Sequence, residues 1–206
     1  MARTESPLNA LEIYLPEGSF PLVEPLLVTH RVHLTITRSR VSILGDYRHA
    51  LGVRNHRISV NGNLNRFAFL ITLLHECAHL LTFIQHGSQV ASHGKEWKSH
   101  YAAILHVFML QGIFPENIRR ALEDSLKNPA ASSCADAELM RVLRQYDAVR
   151  DGYCLVDEIP AGGQFRINGG RVFKKGNRQR KRYLCEELAT GRVYAFSPIY
   201  EVFRLP

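Results

Sequence analysis

The hydrophobic pattern of the first third of the chain predicts short helices and then short strands. Over residues 8–29, apolar positions recur at helical spacing but Pro and Gly interrupt them, so we expect two short helices. Apolar and polar residues alternate over 32–37 and continue over 41–49, which predicts two strands that form a hairpin. A third short strand is expected at 56–61.

A long amphipathic helix gives the strongest signal in the sequence. Its apolar positions recur at helical spacing at Phe67, Leu70, Ile71, Leu74, Ala78 and Leu81. Asn63 or Asn65 can serve as its N-cap, and Gly87 is expected to end it. Three further helices are predicted at about 93–111, 115–127 and 134–149.

The pattern changes after Asp151-Gly152. From there the chain is rich in Gly, aromatic residues, Val and Arg, with closely spaced turn signals, which is typical of a small antiparallel β unit. We therefore expect an α+β protein in two parts. Residues 1–150 would form a domain in which a small antiparallel sheet packs on helices, and residues 151–206 a small basic β domain.

The composition is that of a folded protein and excludes disordered and low-complexity classes, since 46% of the 206 residues are hydrophobic and 22% are charged. The apolar run at 67–81 contains His75, Glu76 and His79, so we expect it to be too short and too polar to span a membrane. The N-terminus lacks the features of a signal peptide, which predicts a cytoplasmic location and reduced cysteines. Nothing in the sequence predicts an oligomeric state.

Residues 75–79 read H-E-x-x-H in the middle of the long helix. Two histidines four residues apart lie on one face of a helix, so the imidazoles of His75 and His79 can reach one metal ion. In zinc peptidases, the glutamate of this motif takes a proton from the attacking water and passes it to the leaving amine. Glu76 is therefore the candidate general base.

A catalytic zinc site needs a third protein ligand, and five downstream residues are candidates: His86, His93, Glu96, His100 and His106. His86 lies two turns beyond His79 on the same helix, about 10 Å along the axis, which is too far to share an ion. His93 follows a loop and can fold back towards the helix. We favour His93, and Glu96 remains the alternative ligand.

The segment HECAHLLTFIQHGSQVASHGKEWKSHY resembles the active-site segment of the SprT-like family, which includes the Spartan proteases. That family's pattern is H-E-x-x-H, a linker and then His-Gly-x-x-Trp/Phe, matched here by His93, Gly94 and Trp97. The resemblance implies a zincin-like (minigluzincin-type) metalloprotease domain, with zinc on His75, His79 and His93 and with Glu76 as general base. For Spartan members it further implies DNA-dependent cleavage of proteins, including proteins crosslinked to DNA.

One departure from the family concerns the C-terminal part. Many SprT-like proteins end in a zinc ribbon with two Cys-x-x-Cys pairs, but here Cys154 and Cys185 stand alone, with Asp157 and Leu188 three residues further on. Four thiolates are not available for a second zinc. We therefore expect a zinc-free ribbon remnant at 151–206 and one Zn²⁺ per chain.

A basic segment at 171–182 contains seven Lys and Arg residues and no acid, within a chain whose net charge is 26 − 19 = +7. Basic side chains neutralise phosphates, and the flanking Phe173 and Tyr183 can stack on unpaired bases. The sequence predicts a DNA partner, as single strands or DNA–protein complexes, and a nucleic-acid-binding set of Lys174, Lys175, Arg178, Arg180, Lys181 and Arg182.

These features together predict a zinc metalloendopeptidase that cleaves DNA-associated proteins. The family resemblance further implies cleavage of DNA-crosslinked proteins, an activity of DNA–protein crosslink repair. The substrate backbone would pair along the strand at 56–61. The alternatives are a nucleic-acid-binding protein with a vestigial or structural metal site, and a metallohydrolase that acts on a non-peptide bond. Glu76 argues against a structural site, which does not need that carboxylate and would have four protein ligands.

Overall fold

The computed structural model describes residues 6–40, 43–52, 55–127 and 136–206, and within these ranges the protein is a mixed α+β structure. Contacts divide the chain into two compact units, Met1–Asp147 and Ala148–Pro206, whereas the sequence places the boundary near residue 150. The predicted beginnings of the second strand at Val41 and of the last helix at Cys134 lie outside the described residues.

The described helices of the first unit are a 3-10 helix Leu8–Tyr14, α1 Phe20–Thr29, α2 Arg66–His86, α3 Lys95–Leu110, α4 Glu116–Lys127 and α5 Ala137–Arg144. The two short helices expected over 8–29 are confirmed, although Pro25 lies inside α1 instead of ending it. Asn65 is the N-cap of α2, where its Oδ1 accepts from the backbone N–H of Ala68 at 2.9 Å. Gly87 ends that helix with a φ of +60°.

The sheet of the first unit contains β1 His33–Thr37, β2 Gly45–Arg48 and β3 Arg57–Asn61 in the order β1–β3–β2. The predicted hairpin of the first two strands is wrong, because β3 lies between them, parallel to β1 and antiparallel to β2. Ile58 and Val60 of β3 are fully buried, which favours the central position for this strand. Both edges of β3 are paired, so the expectation that substrate pairs along 56–61 is also wrong.

Helix α2 is the core of the first unit and packs against α3, β2 and β3. By length and composition it could cross a membrane, which corrects the expectation that this run is too short and too polar. However, 72% of its most apolar window is buried within the protein. Core helices pass the same test of length and composition, and burial on this scale is typical of them.

The second unit is a six-stranded antiparallel sheet in the order β4–β9–β5–β6–β7–β8, as its turn-rich sequence predicts. Its strands are β4 Tyr153–Leu155, β5 Gln164–Arg166, β6 Val172–Gln179, β7 Arg182–Glu187, β8 Val193–Phe196 and β9 Glu201–Arg204. Its core consists of Val156, Ile159, Phe165, Phe173, Cys185 and Val202. Cys185 and the half-buried Cys154 thus pack with apolar side chains.

Candidate metal centre and basic hairpin

Three histidines from two helical regions meet in the first unit. His75 and His79 lie one turn apart on α2, and His93 lies just before α3; one nitrogen from each ring falls within 4.8 Å of the others. The Nε2 atoms of His75 and His93 are 3.2 Å apart. Nitrogens bound tetrahedrally to zinc at 2.0–2.1 Å lie about 3.4 Å from one another, so the three side chains fit a zinc ion without large rearrangement.

The turn between α2 and α3 returns His93 to the helix. The backbone N–H of Gly94 donates to the carbonyl of Ala91 at 2.9 Å, and a Cβ at position 94 would lie 3.1 Å from that oxygen. Gly94 therefore allows a tight approach that brings His93 over His75. Glu96, the alternative ligand, does not belong to the histidine group and lies 3.9 Å from the ammonium of Lys95.

Two of the other candidate ligands form a separate pair. The rings of His86 and His100 lie 6.4 Å apart, and Nε2 of His100 is 2.9 Å from Oε1 of Gln85. Neither residue joins the group of three, and His106 is exposed on α3. The loop-returned histidine is the candidate that the structure brings to His75 and His79.

Trp97 forms a buried wall against the histidine group. Its ring centroid lies 4.6, 5.4 and 4.7 Å from those of His75, His79 and His93, and its side chain is fully buried. Burial, followed by the charges of neighbouring histidines, lowers the pKa of His75 to about 3 and that of His79 to about 4. Burial also lowers the pKa of His93. The imidazoles are therefore neutral at pH 7, the state in which they bind metal.

Glu76 lies beside the histidine group, buried against strand β2. The backbone N–H of Tyr47 faces its carboxylate, and a Cβ at Gly45 would lie only 2.6 Å from Glu76 Oε1. Burial and then the charge of Asp46 raise the pKa of Glu76 to about 8, against the opposing effects of Arg40 and of the Tyr47 N–H. A carboxyl in this range exchanges a proton close to neutral pH, as a general base or acid does.

Sequence reasoning did not single out Tyr47 as a site residue. Its ring lies parallel to that of His79, at 6.5 Å between centroids, and its hydroxyl is 2.9 Å from Nδ1 of His56. These contacts depend on the pairing of β2 with β3, which is not local in sequence. The only sequence signal is its position two residues after Gly45 in the same strand, which places both on the face towards α2.

The basic segment of the second unit forms the hairpin of β6 and β7. Arg180 and Lys181 make its two-residue turn, and Arg180 has a φ of +53°. Five of the six predicted nucleic-acid-binding residues are exposed on this hairpin: Lys174, Arg178, Arg180, Lys181 and Arg182. We call these five residues the basic hairpin surface.

Lys175 does not belong to that surface, which corrects the predicted set. It is only 6% exposed, and its ammonium donates to the backbone carbonyls of Asp157 at 3.0 Å and Ile159 at 2.5 Å. It also lies 4.0 Å from the ring centroid of Tyr183. Alternation along β6 turns Lys174 outward and Lys175 inward, so the ammonium of Lys175 bonds to groups within the second unit.

The arrangement of three histidines with an adjacent buried carboxyl defines the first unit as a candidate metal-binding unit. Residues 28–119 match the family model described as the SprT-like family. The matched segment contains the three histidines and Glu76, and the family is associated with zinc metallopeptidase activity. Comparison with curated proteins finds no match, and neither does comparison with solved structures.

Proposed function

We propose that this protein is a zinc-dependent metalloendopeptidase with a zincin-like first unit, and that it cleaves proteins associated with or crosslinked to DNA. The observation that carries the proposal is the placement of Glu76 beside three histidines whose nitrogens fit one zinc ion. The SprT-like match over 28–119 supports the same class of enzyme. The basic hairpin surface supports DNA as the partner.

His75, His79 and His93 would hold the zinc, which when bound supplies a Lewis acid that polarises the scissile carbonyl and acidifies water. Glu76 accepts the proton of the attacking water on a carboxylate oxygen and then donates it to the leaving amine. The backbone N–H of Tyr47 faces that carboxylate and favours its charged form. Trp97 excludes water from one side of the histidines, which strengthens electrostatic interactions there.

The outer edge of β2 is the surface on which we propose that substrate backbone pairs. The backbone N–H of Asn61 donates to the carbonyl of Leu44, so by alternation the polar groups of Gly45 and Tyr47 point away from β3. The carboxylate of Glu76, which the backbone N–H of Tyr47 faces, lies on this outward side. An extended peptide added to β2 would therefore lie next to the general base, which an added strand on central β3 cannot do.

Cleavage of a DNA-bound protein tests the proposed function. A basic DNA-binding protein such as a histone is incubated with the purified chain, with and without single-stranded or double-stranded DNA. We expect zinc-dependent fragments whose formation increases when DNA is added. The reason is that the protease and its substrate are then bound to the same DNA molecule. A zinc chelator should stop the reaction and added zinc should restore it. Absence of cleavage under all conditions, or cleavage that resists the chelator, would contradict the proposal.

DNA binding by the basic hairpin surface predicts a measurable salt effect. Neutralising Arg178, Arg180 and Lys181 together as glutamines should reduce the slope of log affinity against log salt by about two units for single-stranded DNA, at about 0.7 per phosphate contact. The matched control neutralises three exposed cations of the first unit, Lys95, Arg120 and Lys127. An equal change in both variants, or no change in either, would place DNA binding elsewhere.

A further inference from the structure

Strand β2 contacts Glu76 directly, but it is paired with another strand along one side only. It pairs with β3 and, among the described residues, with no other strand. At its beginning, Arg40 supports it, since the guanidinium donates to Asn61 Oδ1 at 2.8 Å and to the Leu44 carbonyl at 3.4 Å. Beyond Tyr47 the strand needs a second anchor, because an edge strand is free to move away from the helix that it contacts.

That second anchor is His56, which lies just before β3. Its Nδ1 atom accepts from the backbone N–H of Ala50 at 3.3 Å and is 2.9 Å from the hydroxyl of Tyr47. Because a backbone N–H can only donate, this Nδ1 is unprotonated, and the Tyr47 hydroxyl must be the donor in its own bond. One imidazole nitrogen thus ties two points of the segment 47–50 to the start of β3.

Tyr47 connects this anchor to both parts of the candidate centre, Glu76 and the histidine group. Its backbone N–H faces the carboxylate of Glu76, which packs against Gly45 of the same strand, and its ring lies parallel to that of His79 and beside that of Phe83 on α2. A shift of this one residue would therefore move the general base and loosen the packing beside a metal ligand. Displacements of about 1 Å in such groups are enough to cost about 100-fold in rate.

We propose that the hydrogen bond between Tyr47 and His56 positions the edge strand for catalysis, with both as positioning residues. It fixes the strand that packs against Glu76 and the ring that lies beside His79. The proposal rests on the proposed peptidase function for its kinetic consequence. Its structural consequence, a β2 strand held to β3 beyond Tyr47, is independent of that function.

Three substitutions test the hydrogen bond between Tyr47 and His56. Tyr47→Phe removes the donor and keeps the ring, and His56→Leu removes the acceptor. His56→Asn keeps an acceptor oxygen close to the position of Nδ1. The matched control is His49→Leu, since His49 stacks on Phe83 at 4.4 Å between centroids but does not bond to Tyr47.

We expect Tyr47→Phe and His56→Leu each to lower kcat by about 10-fold or more with little change in KM or in zinc content. The double variant should lose no more than either single variant, because both remove the same bond. His56→Asn should recover most of the lost kcat, and His49→Leu should resemble the parent. Additive losses, or zinc lost in proportion to kcat, would overturn the positioning role in favour of a general loss of structure.

Hydrogen exchange at the amide of Arg48, which pairs with Arg57 and by the same alternation points towards β3, is measured by NMR on the purified protein and tests the anchor without any turnover. We expect at least a 10-fold faster exchange in His56→Leu and parental exchange in His49→Leu. Unchanged exchange in both Tyr47→Phe and His56→Leu would overturn the inference even if the enzyme is a peptidase. A parent chain that cleaves nothing, but whose amide shows the expected exchange, would instead contradict the peptidase proposal alone.

Discussion

Replacing Glu76 by glutamine is expected to lower peptidase turnover by a factor of about 100 or more while leaving the zinc content and the fold intact. Glutamine keeps the shape of the side chain and one acceptor for the backbone N–H of Tyr47. It cannot accept the proton of the attacking water. The loss should therefore appear in kcat at saturating substrate, with zinc content measured in the same preparation.

The matched control for this experiment is Glu96→Gln. Glu96 is a half-buried glutamate near the histidine group, but it is not a member of the group and lies beside Lys95. Its substitution should leave turnover within a few-fold of the parent. Parental turnover in Glu76→Gln, or an equal loss in both variants, would contradict the assignment of Glu76 as general base.

Removing any one of the three histidines is expected to abolish most zinc binding. Elemental analysis of the parent, purified without added metal, should give about one zinc per chain. His93→Ala should lower that content as much as His79→Ala, because each removes one of three protein ligands. Glu96→Ala should retain the parental zinc content.

Two results would contradict this ligand set. Full zinc in His93→Ala with loss of zinc in Glu96→Ala would mean that the glutamate, and not the loop-returned histidine, is the third ligand. A content near two, with one equivalent remaining after His75 and His79 are both changed, would mean that other residues of the chain bind a second zinc.

Features that depend on local spacing could be predicted from the sequence. The i, i+4 relation of His75 and His79 fixes their common face once the segment is helical, and Asn65 and Gly87 mark the ends of that helix by their own chemistry. His93 was preferable to Glu96 because a loop allows it to return to the helix, and the structure places it within the histidine group.

Features that depend on pairing between distant segments could not be predicted in this way. The alternation over 32–37 and 41–49 indicates strands, but it contains no information on which strand becomes central. The positions of Tyr47 and His56 follow from that pairing, so their contact was missed. Lys174 and Lys175 have the same charge, and only the register of β6 in its sheet determines which of the two is buried.

The second unit contains a buried positive charge that belongs to the chain itself, the ammonium of Lys175. It does not need a bound metal ion to supply that charge. A fold that is held by a bound metal gains stability only as the free ion exceeds its dissociation constant, by about 2.7 kcal/mol at a hundredfold excess. The charge that bonds to the carbonyls of Asp157 and Ile159 is part of the chain and cannot be diluted or chelated. Scarcity of zinc would therefore empty the site that we propose at the three histidines, whereas the ammonium of Lys175 would stay in place.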